Sequence, residues 1–307
     1  MSFHSRLALP VALAFAFTCF TPPPASAAGQ PAAIDAAAKS LEGLGGVVTR
    51  KDGKVVEVSF RDSKSLGPEQ WRQLGQLSDL AKLTVYGGAK GLNDTTVSHL
   101  TGLRHLEQLS TDGARLSDRG LEKLAELKSL RSVAFFHLSF RMEGFTGKGF
   151  AAWRQLPHLE RLTVAGMSMG DEGFAAIAQI ASLRELRTWH TYRTEASNQE
   201  IAKLPLRSLK VGQRLPGAQR PPCLSNQSLP VLASIATLET LELGEARLDL
   251  AGLRAVAKLP KLQRLKIDRT EITEAEIEQL RTLLPNVKID FEPLTEEQRS
   301  QLNRYLP

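Results

Sequence analysis

Side chains that could catalyse a reaction are few in this 307-residue chain and are scattered along it. Catalysis needs acids, bases or nucleophiles within hydrogen-bonding reach, and metal sites need ligands at short spacings. The chain has no H-E-x-x-H pair, cysteine cluster, G-x-S-x-G turn or G-x-G-x-x-G loop. The histidines beyond residue 27 are His99, His105, His137, His158 and His190. No two of them have metal-ligand spacing, so the sequence predicts no enzyme, no metal and no cofactor.

Two isolated features resemble a reactive site without meeting its requirements. Cys223 has only Arg220 near it in sequence, whereas a reactive thiol needs basic neighbours or a helix start to lower its pKa. Gly147-Lys148 resembles the end of a phosphate-binding loop, but Met142 replaces its first glycine and Gly149 its magnesium-binding hydroxyl. These departures favour an unreactive thiol and a plain loop.

Side chains suited to recognition are more informative than those suited to catalysis. Only 6% of the residues are aromatic, so exposed aromatics in a common register indicate a binding surface rather than random placement. The candidates are three aromatic and three basic residues: Tyr86, Phe136, Trp189, Arg161, Arg187 and Lys210. Whether they act together depends on the elements that hold them.

A repeat of about 24 residues supplies those elements. One copy, residues 103–127, reads Leu-x-x-Leu-x-x-Leu-x-Thr-x-x-Ala-x-Leu and then Ser-Asp-Arg-Gly-Leu-x-x-Leu-x-x-Leu. Three further clean copies begin at Leu159, Leu238 and Leu262. Alternating apolar residues predict a short strand, and apolar residues three apart predict one stripe of a helix.

Neither half of the repeat can bury its apolar face alone, so the repeats must stack. The predicted inward pairs are Val58/Phe60, Leu83/Val85, Leu109/Thr111, Val133/Phe135, Leu162/Val164, Leu186/Thr188, Leu209/Val211, Leu241/Leu243, Leu265/Ile267 and Val287/Ile289. Helix starts are marked at Ser117-Asp118, Gly170-Asp171 and Thr273-Glu274. Gly120 and Gly173 indicate a first turn packed closely against the strands.

These residues resemble leucine-rich-repeat proteins of the ribonuclease-inhibitor-like type, in the x-x-T-x-I-T-D-x-G-L variant of many exported bacterial repeat proteins. The resemblance covers about residues 47–291. It implies an α/β solenoid, a horseshoe with parallel strands on the concave face and helices on the convex face. The chain has Ala114, Met167, Ala246 and Thr270 where Asn or Cys is common, so a buried asparagine ladder is in doubt.

The residues that flank each inward pair must point to the concave face. Tyr86, Phe136 and Trp189 then occupy the third position of the second, fourth and sixth strands, about 10 Å apart. They predict a discontinuous aromatic ridge. The alternative is that His137, His190 or the inserted loops fold back and cover it.

Charges on this face are mixed. Arg187, Lys210 and Lys266 share the middle position, with Arg161 and Arg264 beside them. The thirty flanking positions hold eight basic and six acidic residues, whereas a nucleic-acid groove needs a more one-sided stripe. We expect a protein partner, with an anionic glycan as the alternative, and no nucleic acid.

The ends and interruptions of the repeat define the predicted domains. Residues 28–60 predict an N-terminal cap, a helix and an Asp52-Gly53 hairpin that lead into the first repeat. Residues 61–291 form the repeats and 292–307 a C-terminal cap. Extra residues fall at 138–147 and in a Pro-rich segment, 212–225, which must loop out. Such loops often carry recognition, although tolerated insertion is the plainer interpretation.

Residues 1–27 predict a cleaved secretory signal. Arg6 is their only charged side chain, an apolar run spans 7–20, and Ala25-Ser26-Ala27 forms a small-x-small site. The run is shorter than the roughly 20 residues of a membrane span, and Thr18 disfavours lipidation of Cys19. Without the signal the chain has 38 basic and 33 acidic residues.

The sequence therefore predicts a periplasmic or secreted scaffold that binds protein through its concave face and inserted loops, without catalysis and without stable membrane insertion. The alternative is a module that binds cell-envelope polysaccharide, which aromatic platforms also suit.

Overall fold

The computed structural model describes residues 29–214 and 221–306, which form one 11-stranded sheet backed by short helices. The predicted signal and Cys19 lie outside the described residues. The strands follow chain order across the sheet; β1 and β2 are antiparallel and the later neighbours are parallel. They are β1 (Val47–Lys51), β2 (Lys54–Phe60), β3 (Lys82–Val85), β4 (Gln108–Asp112), β5 (Ser132–Phe136), β6 (Arg161–Ala165), β7 (Glu185–Trp189), β8 (Ser208–Val211), β9 (Thr240–Gly244), β10 (Arg264–Asp268) and β11 (Lys288–Phe291).

The helices alternate with the strands, as the repeat predicts. They are α1 (Gly29–Gly43), α2 (Pro68–Gly75), α3 (Asp118–Leu124), α4 (Asp171–Ile177), α5 (Ser197–Ile201), α6 (Ser228–Leu232), α7 (Leu250–Leu253), α8 (Glu274–Leu283) and α9 (Glu296–Tyr305). Short 3₁₀ helices span Thr96–His99, Lys148–Gln155 and Arg254–Lys258. Parallel strands on one face and helices on the other make the chain an α/β leucine-rich-repeat solenoid.

The register of the strands confirms the inward pairs from Val58/Phe60 to Leu265/Ile267, all of which are buried. The last predicted pair, Val287/Ile289, is displaced by two residues along the chain. Ile289 lies beside Leu265 and Phe291 beside Ile267, and both Val287 and Ile289 pack against the core. The amide of Val287 donates to the carbonyl of Leu284 in a turn, so β11 begins only at Lys288.

Polar contacts between successive repeats lie at the helix starts rather than in a buried asparagine ladder. Asp118 accepts hydrogen bonds from the Thr146 hydroxyl at 2.7 Å and the Gly149 amide at 3.2 Å. Asp171 accepts one from the Thr194 hydroxyl at 2.7 Å. Ala114, Met167, Ala246 and Thr270, which stand at the usual asparagine position, are buried.

Glycines near the helix starts allow this close approach. A Cβ at Gly120 would lie 2.2 Å from Asp94 Oδ1, and one at Gly173 would lie 2.2 Å from Met169 Cγ. The predicted reason for Gly120, packing against the strand layer, is therefore incomplete, because the tight contact includes a side chain of the preceding repeat.

Left-handed residues follow most strands. Gly87, Gly113 and Gly166 take this position, but so do His137 (φ 48°), His190 (φ 51°), Glu245 (φ 58°) and Arg269 (φ 50°). A left-handed conformation costs a non-glycine residue roughly 1–2 kcal/mol. The amides of His137, His190 and Glu245 donate to carbonyls near the end of the next strand, which offsets part of that cost.

The first insertion lies between β5 and β6, and the described ends of the second, 212–214 and 221–225, lie between β8 and β9; its residues 215–220 lie outside the described residues. The first insertion is anchored by Ser139, whose buried hydroxyl donates to the Leu116 carbonyl. The second is anchored by Gln213, whose Oε1 accepts from the Cys223 amide at 2.9 Å. Helix α9 sets Leu302, which is buried, against the rim near Glu245 and Arg269.

Candidate binding face

Three aromatic side chains on the concave face are in continuous ring contact. The ring centroids of Tyr86 and Phe136 are 6.0 Å apart with planes at 82°, and those of Phe136 and Trp189 are 6.2 Å apart at 54°. Both are favourable separations for aromatic pairs. The rings lean over Asp112 and Ala165 on the intervening strands. The predicted gaps of about 10 Å are therefore closed, and we call Tyr86, Phe136 and Trp189 the aromatic ridge.

Exposure differs along the aromatic ridge. Tyr86 is 37% exposed, whereas Phe136 and Trp189 are half-buried. His137, which could have folded back over Phe136, pairs instead with Asp112: its Nδ1 lies 2.8 Å from Asp112 Oδ1. Phe140 of the first insertion packs against the His137 ring, with centroids 6.4 Å apart. The insertion thus places an aromatic ring against His137, the residue that follows Phe136.

Two of the predicted basic residues adjoin the ridge at Trp189. The Lys210 ammonium lies 5.2 Å from the centroid of the Trp189 ring, a cation–π contact. Glu242 joins Lys210 and Arg187, with oxygen–nitrogen distances of 3.3 and 3.7 Å. Aromatic and charged groups therefore meet at one place on the face.

Arg161 does not belong to this cluster. It is the first residue of β6, four residues before Ala165, and its guanidinium lies 3.9 Å from Glu160. The structure brings together five of the six predicted residues and leaves Arg161 44% exposed at the other end of its strand.

A depression of about 180 Å³ opens beside Trp189. Its floor exists because the third position of β9 and the equivalent position after β8 are glycines, Gly244 and Gly212, which place no side chain there. It is lined by Trp189, Lys210, Gly212, Glu242, Leu243, Gly244, Glu245, Lys266, Asp268 and Arg269.

Glu245 closes one end of the depression with a buried carboxylate. The side chain is 6% exposed; its oxygens lie 2.9 Å from His190 Nε2 and 2.6 Å from Arg269 Nη1. Burial acts to raise the pKa of Glu245, but the hydrogen bond with His190 and the charges of His190, Arg269 and Lys210 outweigh it. The pKa is lowered, so the group stays ionised at neutral pH.

Sequence reasoning missed Glu245 and Arg269, because they follow the strands and fall outside the three flanking positions. The signal that was present is the pair of glycines, Gly212 and Gly244, in the third position of the two repeats that follow the Trp189 strand. A glycine there removes a side chain from the face, which predicts a hollow next to Trp189.

The isolated reactive candidates occupy structural positions. Cys223 is buried; its thiol contacts the Gly212 carbonyl at 3.5 Å, and burial raises its pKa although Arg193 and Arg214 lie nearby. It is therefore a protonated, enclosed thiol. Gly147 caps the 3₁₀ helix at Lys148–Gln155 with φ 84°.

Residues 29–214 and 221–306 contain neither a candidate metal site nor a candidate membrane span. No three His, Cys, Asp or Glu side chains there lie close enough to hold a metal ion. No helix in those ranges is long and apolar enough to cross a membrane.

No protein-family model matches the chain, and no curated protein matches it in sequence. Among solved structures, an internalin (InlF) from Listeria monocytogenes is similar at 17% identity and a TM-score of 0.47, over 73% of this chain and 64% of that one. Internalin C2 of the same organism is similar at 18% identity and a TM-score of 0.47, over 86% and 92%. This chain therefore spans less than two thirds of the length of that InlF chain. The strand register of this chain supports the leucine-rich-repeat fold.

Proposed function

We propose that this chain is an exported, non-enzymatic scaffold of the ribonuclease-inhibitor-like repeat type that binds a protein through its concave face. The observation that carries the proposal is the aromatic ridge, three rings in contact on the open face of the sheet. Clustered aromatics next to basic groups are the usual anchors of protein interfaces. Phe140 of the first insertion packs against His137, the residue that follows Phe136 in the chain.

The ring planes favour protein over polysaccharide. Tyr86 and Phe136 meet edge-on at 82°, and Phe136 and Trp189 are tilted by 54°. The ridge therefore presents no common flat face for stacking on a sugar chain, whereas an irregular apolar ridge suits interdigitating side chains of a protein. An anionic glycan is the outcome to test against.

The histidines near the ridge and Cys223 occupy structural positions, which supports a role without catalysis. His137 and His190, the two histidines near the ridge, pair with Asp112 and Glu245 in the turns after their strands. Cys223 is enclosed. A scaffold needs these groups for shape, not for proton transfer.

The binding test removes the ridge and keeps the fold. The Phe136→Ala/Trp189→Ala variant should no longer capture proteins from an envelope extract of the source cells, because it lacks both rings at the centre of the surface. The control is Leu283→Ala, which removes an exposed apolar side chain, 46% exposed, from helix α8 and leaves the concave face intact. Capture by the double variant at the parental level would contradict the proposal. So would a parental chain that binds glycans on an array and captures no protein.

Export rests on residues 1–27 alone. Amino-terminal sequencing of the protein recovered from the periplasm or medium should begin after Ala27 or Ala28. Protein that retains Met1 in the cytoplasm would contradict this part of the proposal and leave the binding test unaffected.

A further inference from the structure

The depression beside Trp189 has the size of a site for one side chain. Its volume of about 180 Å³ is below the 300–1,000 Å³ that drug-sized ligands usually occupy. It continues the aromatic ridge, because Trp189 forms both the end of the ridge and one wall of the depression.

The charges that line the depression pair with one another, with one exception. Lys210 pairs with Glu242, and Arg269 pairs with Glu245 and Asp268. Lys266 is a half-buried cation in the middle position of β10. Among the residues that the structure describes, no carboxylate lies within ion-pair distance of the Lys266 ammonium.

The acids on the two neighbouring strands already have other partners. Lys266 stands between Glu242 of β9 and Asp290 of β11, and those acids are already bonded to Lys210 and Arg264. A Cβ at Gly244 would lie 3.3 Å from the Asp268 carbonyl oxygen, a tight contact that glycine avoids. Lys266 therefore lines a small hollow with one aromatic wall, and its ammonium has no ion-pair partner among the described residues.

We propose that this depression binds a single carboxylate side chain, Asp or Glu, of the protein partner. The carboxylate accepts hydrogen bonds from the Lys266 ammonium, and its methylene stem packs against the Trp189 ring. The inference rests on the proposed function, since Trp189 belongs to both surfaces, and it adds the chemistry of the residue that the partner must supply.

The test uses the natural reporter Trp189. Trp71 and Trp153 are fully buried, so among the three indole N–H resonances that of Trp189 reports on the face; a Trp189→Phe variant assigns it. The full mature chain, labelled with ¹⁵N, is titrated with the blocked tripeptide Ac-Ala-Glu-Ala-NH2. The matched probe is Ac-Ala-Gln-Ala-NH2, of equal size and no charge.

We expect a saturable shift with the glutamate peptide in the millimolar range, and affinity about tenfold weaker with the glutamine peptide. Lys266→Met should also weaken the binding of the glutamate peptide by about tenfold. The control Lys288→Met removes an equal charge from an exposed site on the same face, and should change affinity by less than about twofold. Unchanged far-UV circular dichroism identifies variants that fold.

Equal shifts with the two peptides would overturn the proposal without recourse to any variant, as would parental affinity in Lys266→Met. A shift with methyl glucuronide and none with the glutamate peptide would assign the depression to an anionic glycan and overturn it too. The titration needs no natural partner. Its failure is therefore distinguishable from failure of the ridge to capture a protein.

Discussion

The two halves of the concave face differ in the middle position of their strands. From β2 to β6 this position holds small uncharged residues, Ser59, Thr84, Ser110, Ala134 and Thr163. From β7 to β10 it holds charged residues, Arg187, Lys210, Glu242 and Lys266. The first half presents aromatic rings on a neutral floor, and the second presents paired charges around a hollow. Since the halves meet at Trp189, one partner that touches this residue can use apolar contact on one side and charge on the other.

The largest expected effect is a difference in stability between buried and exposed aromatic residues of the first half. Phe135 and Phe136 are neighbours on β5, but Phe135 is buried against Phe150 and Trp153, whereas Phe136 lies on the ridge. Phe135→Ala should lower the free energy of unfolding by about 3–5 kcal/mol, because it leaves a cavity in the core. Phe136→Ala should lower it by about half as much or less, because a half-buried ring on an open face leaves no enclosed cavity. Urea denaturation measures both, and equal losses would remove the distinction.

An intermediate effect tests the charged half. The folded-state pKa of Glu245 lies below its unfolded value of about 4.3, so its ionic contacts stabilise the fold above that pH. The contribution is lost as pH falls through the folded-state pKa. Glu245→Gln should therefore destabilise the chain by about 2 kcal/mol at pH 7, and the deficit should shrink below about pH 4.

Urea denaturation across that pH range provides the measurement. Glu143→Gln, at an exposed loop position, serves as the control and should follow the parent curve. A deficit in Glu245→Gln that stays constant from pH 7 to pH 3 would show that the Glu245 carboxylate does not supply the stability of this turn.

The smallest effect is expected where charge lies within the aromatic half. Lys82 pairs with Glu57 at 2.7 Å on an exposed edge of the face. Lys82→Met should change the free energy of unfolding by less than about 0.5 kcal/mol and partner affinity by less than about twofold. Isothermal titration with the captured partner would detect a larger loss, which would place recognition by charge in both halves.

Periodicity predicts the fold well, because each inward pair leaves an alternation that can be counted. It fails at β11, where the Val287 amide donates to the Leu284 carbonyl in a turn and the strand begins after Val287. The aromatic ridge is predicted from the register, but its ring contacts depend on rotamers that lean across intervening strands. Domain limits at residues 28–60, 61–291 and 292–307 stay predictions.

The depression is encoded only in part by local sequence, through its two glycines. Its floor is made by the absence of side chains at Gly212 and Gly244, and its end by a bond between His190 and Glu245, which are 55 residues apart. Counting repeats aligns these residues only if the Pro-rich insertion leaves the parallel register of β8 and β9 unchanged. Glu245 also takes a left-handed turn position that glycine fills in other repeats.

Site-specific photo-cross-linking tests the central claim most directly. With p-benzoylphenylalanine at position 136, irradiation in the presence of the envelope extract should yield one covalent protein adduct, since that side chain lies at the centre of the aromatic ridge. The same probe at position 283, on the convex helix α8, should yield none. An adduct at position 283 with none at position 136 would contradict recognition through the concave face.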